Sequence, residues 1–275
     1  MWRSLFEGRE LLFNLVKRDL KARYKSTVLG FFWSFAKPLL IMVILWVVFS
    51  RIVRIELRDP HLPFTLHLLC GILPWMYLST SLAEAMQSVV ANSELVKKAR
   101  LPLEVFPVSA VMSNLVHFLL AMVVLFGFIF AFGGSLSLWL LALPAVVVFQ
   151  TFFLIALALI VSSLFVFYRD VASILEVVLT GWFYVTPIIY PIYLASEKLP
   201  EMNMQWAFVL LMLNPMTSII LLYRWVLLAP EYSQPELSPD LLLLYSGIAL
   251  IISIVLYVIG QAIFNHYRRR FADEL

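Results

Sequence analysis

The sequence predicts an all-α polytopic membrane protein. The expected architecture is six transmembrane helices, an N-terminal amphipathic helix lying at the membrane interface, and a re-entrant helical region before the last span. Two observations set this class. Of the 275 residues, 63% are hydrophobic and only 13% charged, whereas soluble domains are about half apolar and about a quarter charged. Six apolar runs are also long enough to cross a hydrocarbon core, which takes roughly 20 helical residues. They are continuously apolar, unlike the ~10-residue alternating segments of a membrane barrel. The single cysteine, Cys70, excludes an internal disulfide and reads as apolar packing. The N-terminus has no signal-type apolar core close behind it, so the first span is expected to persist in the mature protein.

Residues 4–25 are too charged to span. Leu5, Leu12, Val16, Leu20 and Tyr24 share one helical face, with Lys17, Arg18, Lys21 and Lys25 largely off it. That pattern predicts a helix with its apolar side in the headgroup layer and its basic side toward phosphates. The first span covers 30–50, with Lys37-Pro38 near its start, where a lysine can snorkel and a proline costs less than in mid-helix. A polar loop, 51–63, leads to a long second span at 64–91. Thr80, Glu84, Gln87 and Ser88 recur there at spacings of four, three and one on a shared face. A glutamate at that depth faces protein, water or the interface rather than lipid, so this stripe either lines a pore or bonds neighbouring helices.

Residues 92–104 (NSELVKKARLPLE) form an island of charge between two apolar runs. Glu94, Lys97, Lys98, Arg100 and Glu104 interleave with Leu95, Val96, Leu101 and Leu103, as in a short amphipathic helix pressed against another protein. The third span, 106–132, carries Asn114 and His117 one turn apart, read as polar packing between helices. A tight turn at 133–137 precedes the fourth span, 139–167. Tyr168-Arg169-Asp170 then separates it from the fifth, 171–190, where Glu176 lies near the start. Residues 191–240 hold six prolines, and their apolar middle, 206–228, is broken by Asn214-Pro215. Each half is too short to span, so a re-entrant pair of helices is expected, tolerated only when packed against protein. The sixth span, 241–264, ends in the basic cluster Arg268–Arg270.

Charge placement sets the sidedness. With six spans, fourteen lysines and arginines fall on one side: those before residue 30, those of 92–104, Arg169 and the C-terminal cluster. Five fall on the other, Arg51, Arg54, Arg58, Lys198 and Arg224, with Lys37 set apart inside the first span. Both termini and 92–104 are therefore expected in the cytoplasm. A seventh span would export Arg268–Arg270.

Chemistry of its own is not visible in the chain. No phosphate-binding Gly-x-x-x-x-Gly-Lys-Ser/Thr loop occurs, no Cys/His spacing suits a metal, and no catalytic grouping can be assembled. The spans lack the buried charge relays of ion-coupled carriers. An external motor would have to push on the cytoplasmic stretch.

The run Arg18-Asp19-Leu20-Lys21-x-Arg23-Tyr24-Lys25, followed by Leu29-Gly30-x-x-Trp33 and Pro38, resembles the opening of bacterial permeases that export polysaccharides with an ATP-binding-cassette partner. Gly71-x-Leu73-Pro74-Trp75 and Asn92-x-x-Leu95-Val96-x-Lys98 with Leu101-Pro102 resemble that family's second-span and coupling-helix signatures. Arg169-Asp170, Pro187 with Tyr190, and Leu213-Asn214-Pro215 continue the match in order along nearly the whole chain. One departure is Leu101, where members often place an aromatic before the proline.

The resemblance implies a single transmembrane permease domain over 1–275, in a homodimer of six-span subunits in the bacterial cytoplasmic (inner) membrane. It implies two copies of a P-loop nucleotide-binding subunit, with ATP and Mg held there and no cofactor or catalytic residue in this chain. The cargo would be a lipid-linked polysaccharide such as an O-antigen, capsule or teichoic acid, with membrane lipids as further partners and no nucleic acid. Coupling to the ATPase would fall to Asn92, Glu94, Leu95, Val96, Lys97, Lys98 and Arg100. Region 191–240 would form part of the outer gate. Aromatic faces can stack on sugar rings, so Trp182, Tyr184, Tyr190 and Tyr193 are candidates for the channel or gate with Thr80 and Glu84. The alternative for the aromatics is an interfacial belt. Trp182 and Tyr184 point about 200° apart on a regular helix, so both cannot face one pore. Arg18, Lys21, Arg23 and Lys25 are candidates for a lipid pyrophosphate or for ordinary anionic headgroups. Competing functions are an ATP-binding-cassette exporter of small lipophiles, a membrane-embedded glycosyltransferase or polymerase, and an ion-coupled flippase. The last two would call for acidic metal-binding groups or more buried charge.

Overall fold

The computed structural model describes residues 8–25, 33–54, 57, 62–98, 102–133, 138–228 and 237–275. Every regular element within them is helical. In chain order these are α1 (Arg9–Lys25), α2 (Trp33–Trp46, prolonged by a π-helical stretch Val47–Ile52), α3 (Phe64–Ala91), α4 (Ser93–Lys98) and α5 (Val105–Ala131). Then come α6 (Leu143–Phe167, entered through a 3-10 turn at Leu138–Ala142), α7 (Val171–Val185), α8 (Ile192–Glu201), α9 (Gln205–Leu213) and α10 (Pro215–Leu228). Last are α11 (Pro239–Tyr267) and, after a 3-10 turn at Arg268–Arg270, α12 (Phe271–Glu274).

Among the described residues, Phe64–Ala91, Val105–Ala131, Leu138–Phe167 and Pro239–Arg270 are long and apolar enough to cross a membrane. The pair α9–α10, bent by 75°, makes a fifth if taken as one span. The chain is thus a multi-pass membrane protein. Two other expected spans differ from a full crossing helix. The described part of the first is 14 α-helical residues plus the π-helical stretch. The fifth stops at Val185 rather than Tyr190. Its 15 residues reach about 22 Å, short of a ~30 Å hydrocarbon core. The cause is local: a residue before proline is pushed out of the helical region, and Thr186, before Pro187, has φ −75° and ψ 137°.

The core is arranged around α3, which packs on α2, α5, α6, α7 and α10. Within its most apolar stretch, 78% of residues are buried inside the protein, against 17% for α11. So α3 is an axial helix and α11 a peripheral one that clasps only one side, chiefly along α6. Proline at 74 costs α3 one backbone hydrogen bond. A buried side-chain relay crosses at that level: Gln150 of α6 donates to the Pro74 carbonyl (2.7 Å) and accepts from the Tyr223 hydroxyl of α10 (2.9 Å). Both of its amide ends are used, which is how a fully buried glutamine is kept.

Region 191–240 contains three described helices rather than a bare pair. The helices α8, α9 and α10 share a small apolar cluster of Ile192, Ala195, Leu211, Met212 and Leu221 with Leu242 of α11. The break between α9 and α10 is held by Asn214. Its Oδ1 accepts from the Met216 backbone N–H (3.1 Å) and from Trp182 Nε1 (3.0 Å), and its amide donates to Thr186 Oγ1 (3.0 Å). Pro215 opens α10 at a position where its missing N–H has no helical partner to lose. The N-terminal α1 packs on α5 with Leu15 buried, while Phe13 is exposed.

Gly260 sets the separation of α11 from α6. A Cβ there would lie 2.7 Å from the Ala156 carbonyl oxygen and 3.2 Å from Ile160 Cγ1. Small residues let membrane helices approach this closely. Gly260→Leu is expected to push the two helices apart and destabilise the purified protein by roughly 1–3 kcal/mol, read as a lowered thermal midpoint in detergent.

Candidate functional site

Two regions gather the residues singled out from the sequence: a face around α4 and a groove between α3 and α7. The first begins at Asn92, which is buried and fully engaged. Its backbone carbonyl accepts the Leu95 and Val96 N–H groups (2.9 and 3.1 Å), starting α4. Its side chain donates to the Ser88 carbonyl (2.7 Å) and accepts from Arg18 Nη1 of α1 (2.8 Å). Within α4, Glu94, Leu95 and Lys97 are exposed, whereas Val96 turns into the core. Glu94 in the first turn suits the positive end of the helix dipole. The side chain of Lys98 and all of Arg100 lie outside the described residues. Just after this segment, Glu104 is 1% exposed and accepts from Arg268 Nη1 at 3.1 Å. The N-terminal helix and the C-terminal tail are therefore each tied to the ends of the same short stretch.

The basic face proposed for lipid phosphates is partly committed elsewhere. Arg18 pairs with Asp19 (2.9 Å) as well as Asn92, and Lys21 is exposed. The side chains of Arg23 and Lys25 lie outside the described residues.

In the second region, α3 and α7 run in opposite directions and leave an open groove of about 560 Å³ between them. Gln87 and Glu176 stand toward one end, Ser79 and Thr180 midway, and Trp75, Phe183 and Tyr184 toward the other. Among the described lining residues Glu176 is the charged one. No residue of α7 is buried, and its open side mixes Ile174, Val177 and Val178 with Ser173, Glu176 and Thr180. Hydroxyls, amide and carboxylate alternating with aromatic faces can exchange hydrogen bonds with a sugar's hydroxyls and stack on its ring.

The predicted channel residues do not gather in one place. Tyr184, 64% exposed, lines the groove. Trp182 turns the other way, edge-on to Trp75 (5.8 Å) and Phe153 (6.3 Å), with its N–H on Asn214. Thr80 bonds the Met76 carbonyl of its own helix (2.6 Å), as Ser79 does (3.3 Å) and as Thr180 does with the Glu176 carbonyl (2.8 Å), but unlike those two it does not border the groove. Glu84 accepts from Asn114 Nδ2 of α5 (2.7 Å), a helix-to-helix bond. Tyr190 and Tyr193 belong to the turn after α7 and to α8, and Tyr193 is buried. Tyr190 donates to the Val185 carbonyl (2.7 Å) and borders a second hollow lined by Leu194, Lys198, Trp206 and Leu210. Ser79 and Thr180 were not singled out from the sequence. Gln87 belongs to the stripe read from the sequence, but on the groove it stands with Ser79 and Ala83, which lie one residue round the helix from Thr80 and Glu84. Periodicity gives the existence of a polar face, and the angle at which α3 meets α7 selects which one.

Among the described residues no group of three His, Cys, Asp or Glu side chains comes together to hold a metal ion.

The model of a family described as ABC-2 type transporter matches residues 10–228. An O-antigen export system permease protein RfbA from Klebsiella pneumoniae is 34% identical over 267 residues, covering 97% of this chain and 95% of that protein. A protein of the same description from Myxococcus xanthus is 32% identical over 273 residues, covering 99% and 98%.

Asn214 joins α7, the following turn and α10 through one side chain. Asn214→Ala leaves Trp182 Nε1 and the Met216 N–H without that acceptor, which is expected to cost roughly 1–3 kcal/mol. Hydrogen exchange should show faster exchange in the first turn of α10, with α3 unaffected.

Proposed function

The chain belongs to the ABC-2 type transporter family, and from that premise we propose that it is the membrane-spanning subunit of an ATP-driven exporter of a lipid-linked polysaccharide, of the O-antigen type. It is a transport component rather than an enzyme. Two copies would assemble with two P-loop nucleotide-binding subunits, which bind and hydrolyse ATP with Mg. The observation that carries the cargo reading is the groove between α3 and α7. Open and about 560 Å³ in volume, it takes a short segment of a chain at a time, and Ser79, Gln87, Glu176 and Thr180 along it can exchange hydrogen bonds with sugar hydroxyls. Tyr184, 64% exposed, offers a ring face that does not demand one sugar identity, with Phe183 half-buried beside it and Trp75 buried behind.

The homodimer reading is supported by α7. A helix in a membrane protein with no buried residue, carrying Glu176 and Thr180 among valines, is a poor match for lipid. A second copy across this face would turn an open groove into an enclosed path. The six-span topology takes α2 with its π-helical extension and α7 as crossings beside the four long helices, with α8, α9 and α10 as a re-entrant outer region. Lysine and arginine placement supports cytoplasmic termini in the inner membrane. Arg224 leaves the outer tally, because it is 5% exposed and bonded to the Ile188 carbonyl (2.8 Å) rather than standing in a loop. The remaining bias is steeper, fourteen against four.

Coupling would pass through α4. Leu95, 38% exposed, is the apolar side chain it offers a partner, between Glu94 and Lys97. Val96 serves the opposite task of fastening α4 to the core. The helix α1, with Phe13 outward and Lys21 exposed, suits a position among headgroups.

In vesicles holding the permease and its ATPase, Leu95→Asp is expected to leave ATP hydrolysis running while export of the lipid-linked glycan falls at least about tenfold. A charge there would be buried without a partner at the seat of the coupling helix. Unchanged export would overturn the coupling assignment. Tyr184→Ala is expected to slow export without altering basal hydrolysis, since it removes a stacking face and touches no coupling residue. An unchanged rate would argue against the groove as the glycan path.

A further inference from the structure

We propose that the C-terminal hook, residues 268–275, forms one composite docking face with α4 for the nucleotide-binding subunit, a reading that rests on the coupling role given to α4 above. The first argument is size. The helix α4 has six residues, which is about 9 Å of helix. With Val96 turned inward, its described exposed groups are Glu94, Leu95 and Lys97. A stable interface buries roughly 800 Å² on each partner. One turn and a half of helix falls well short of that, so the partner must also rest on surface continuous with α4.

The hook is that surface. The helix α12 packs against α4, and two anchors hold it there. Phe271 is fully buried, edge-on to Phe264 of α11 (5.4 Å) and tilted against Phe167 of α6 (6.0 Å). Arg268 donates to Glu104 (3.1 Å), whose carboxylate is otherwise sealed from water. A buried carboxylate that loses its cation is strongly destabilising, so this tie fixes the tail relative to the start of α5. With Arg268 and Phe271 committed inward, Arg269, Arg270, Asp273 and Glu274 are left exposed beside α4.

Both signs of charge occur on the hook, as they do on α4 with Glu94 and Lys97. Mixed charge sets register against a protein surface. A tail meant for anionic headgroups would gain nothing from Asp273 and Glu274, which those headgroups repel. The geometry also extends the path of force: a push on the hook reaches α11 through Phe264 and α6 through Phe167.

The test uses the purified complex of permease and ATPase. In the double variants Arg269→Glu with Arg270→Glu, and Asp273→Lys with Glu274→Lys, all four changed side chains are exposed, so the thermal midpoint of the permease alone should stay at the wild-type value. Affinity for the nucleotide-binding subunit is expected to fall about tenfold, with a changed salt dependence, as for charges at an interface rim. A photo-cross-linking residue at position 270 should attach to the nucleotide-binding subunit. Wild-type affinity and salt dependence in both double variants, or cross-links to lipid alone, would overturn the composite face while leaving α4 as the coupling element. If Leu95→Asp also leaves export unchanged, the coupling reading itself fails and this inference falls with it.

Discussion

The arrangement of the outer half of this protein depends on one close approach, the seating of the turn after α7 on Gly71 of α3. A side chain at Gly71 would begin 3.0 Å from the Ile188 carbonyl oxygen and 3.2 Å from its Cα. Because none is there, the turn lies directly on the axial helix, and the Ile188 carbonyl, itself cut off from water, accepts from the buried Arg224 guanidinium at 2.8 Å. The arginine belongs to α10, so one contact locks together α3, the turn after α7 and the bent pair α9–α10. A charge held this deeply is stable only while its hydrogen bonds are met. That condition fixes the turn that follows the end of α7 at Thr186-Pro187 and leads into α8.

The inner half follows a different logic. There the chain is fastened by polar ties at the rim of the bundle: Arg18 to Asn92, and Arg268 to Glu104. Between these ties sits α4, joined to α3 and α5 by short segments. A displacement of α4 cannot be absorbed locally, since its neighbours are a 28-residue axial helix and a 27-residue helix packed along it. Close-packed interiors transmit such displacements rather than dissipate them. Under the coupling role proposed for α4, a push there is mechanically continuous with the wall of the groove, because α3 forms part of that wall.

Much of this was legible in the residues. Continuous apolar runs declared the membrane class and most helix positions, because each span must satisfy its own backbone away from water. The ordered motif set pointed to the family. Asn214-Pro215 marked the break in the re-entrant region, since asparagine before proline caps a helix as well as ending one. Less was legible in the site. Thr80, Glu84, Trp182 and Tyr193 have the right chemistry for a channel, yet each is turned toward its own helix or its neighbours. Of the residues read as channel candidates, Gln87 and Tyr184 line the groove, joined there by Ser79, Glu176 and Thr180.

The sequence by itself determined the membrane class, the order of the apolar segments and which of them carry polar stripes, because these follow from solvent and from helical period alone. Only the tertiary structure decided which side of each stripe faces a neighbour. A rotation of one residue, 100° about a helix axis, exchanges a packing contact for a groove-lining one without changing the pattern in the chain. That rotation is set by where Gly71 and Gly260 allow backbones to meet. Nor does the pattern of the chain disclose that Glu104 and Arg268, 164 residues apart, close on each other beside α4. Opposite charges attract wherever they stand, and it is the packing of Phe271 between α6 and α11 that brings these two within reach.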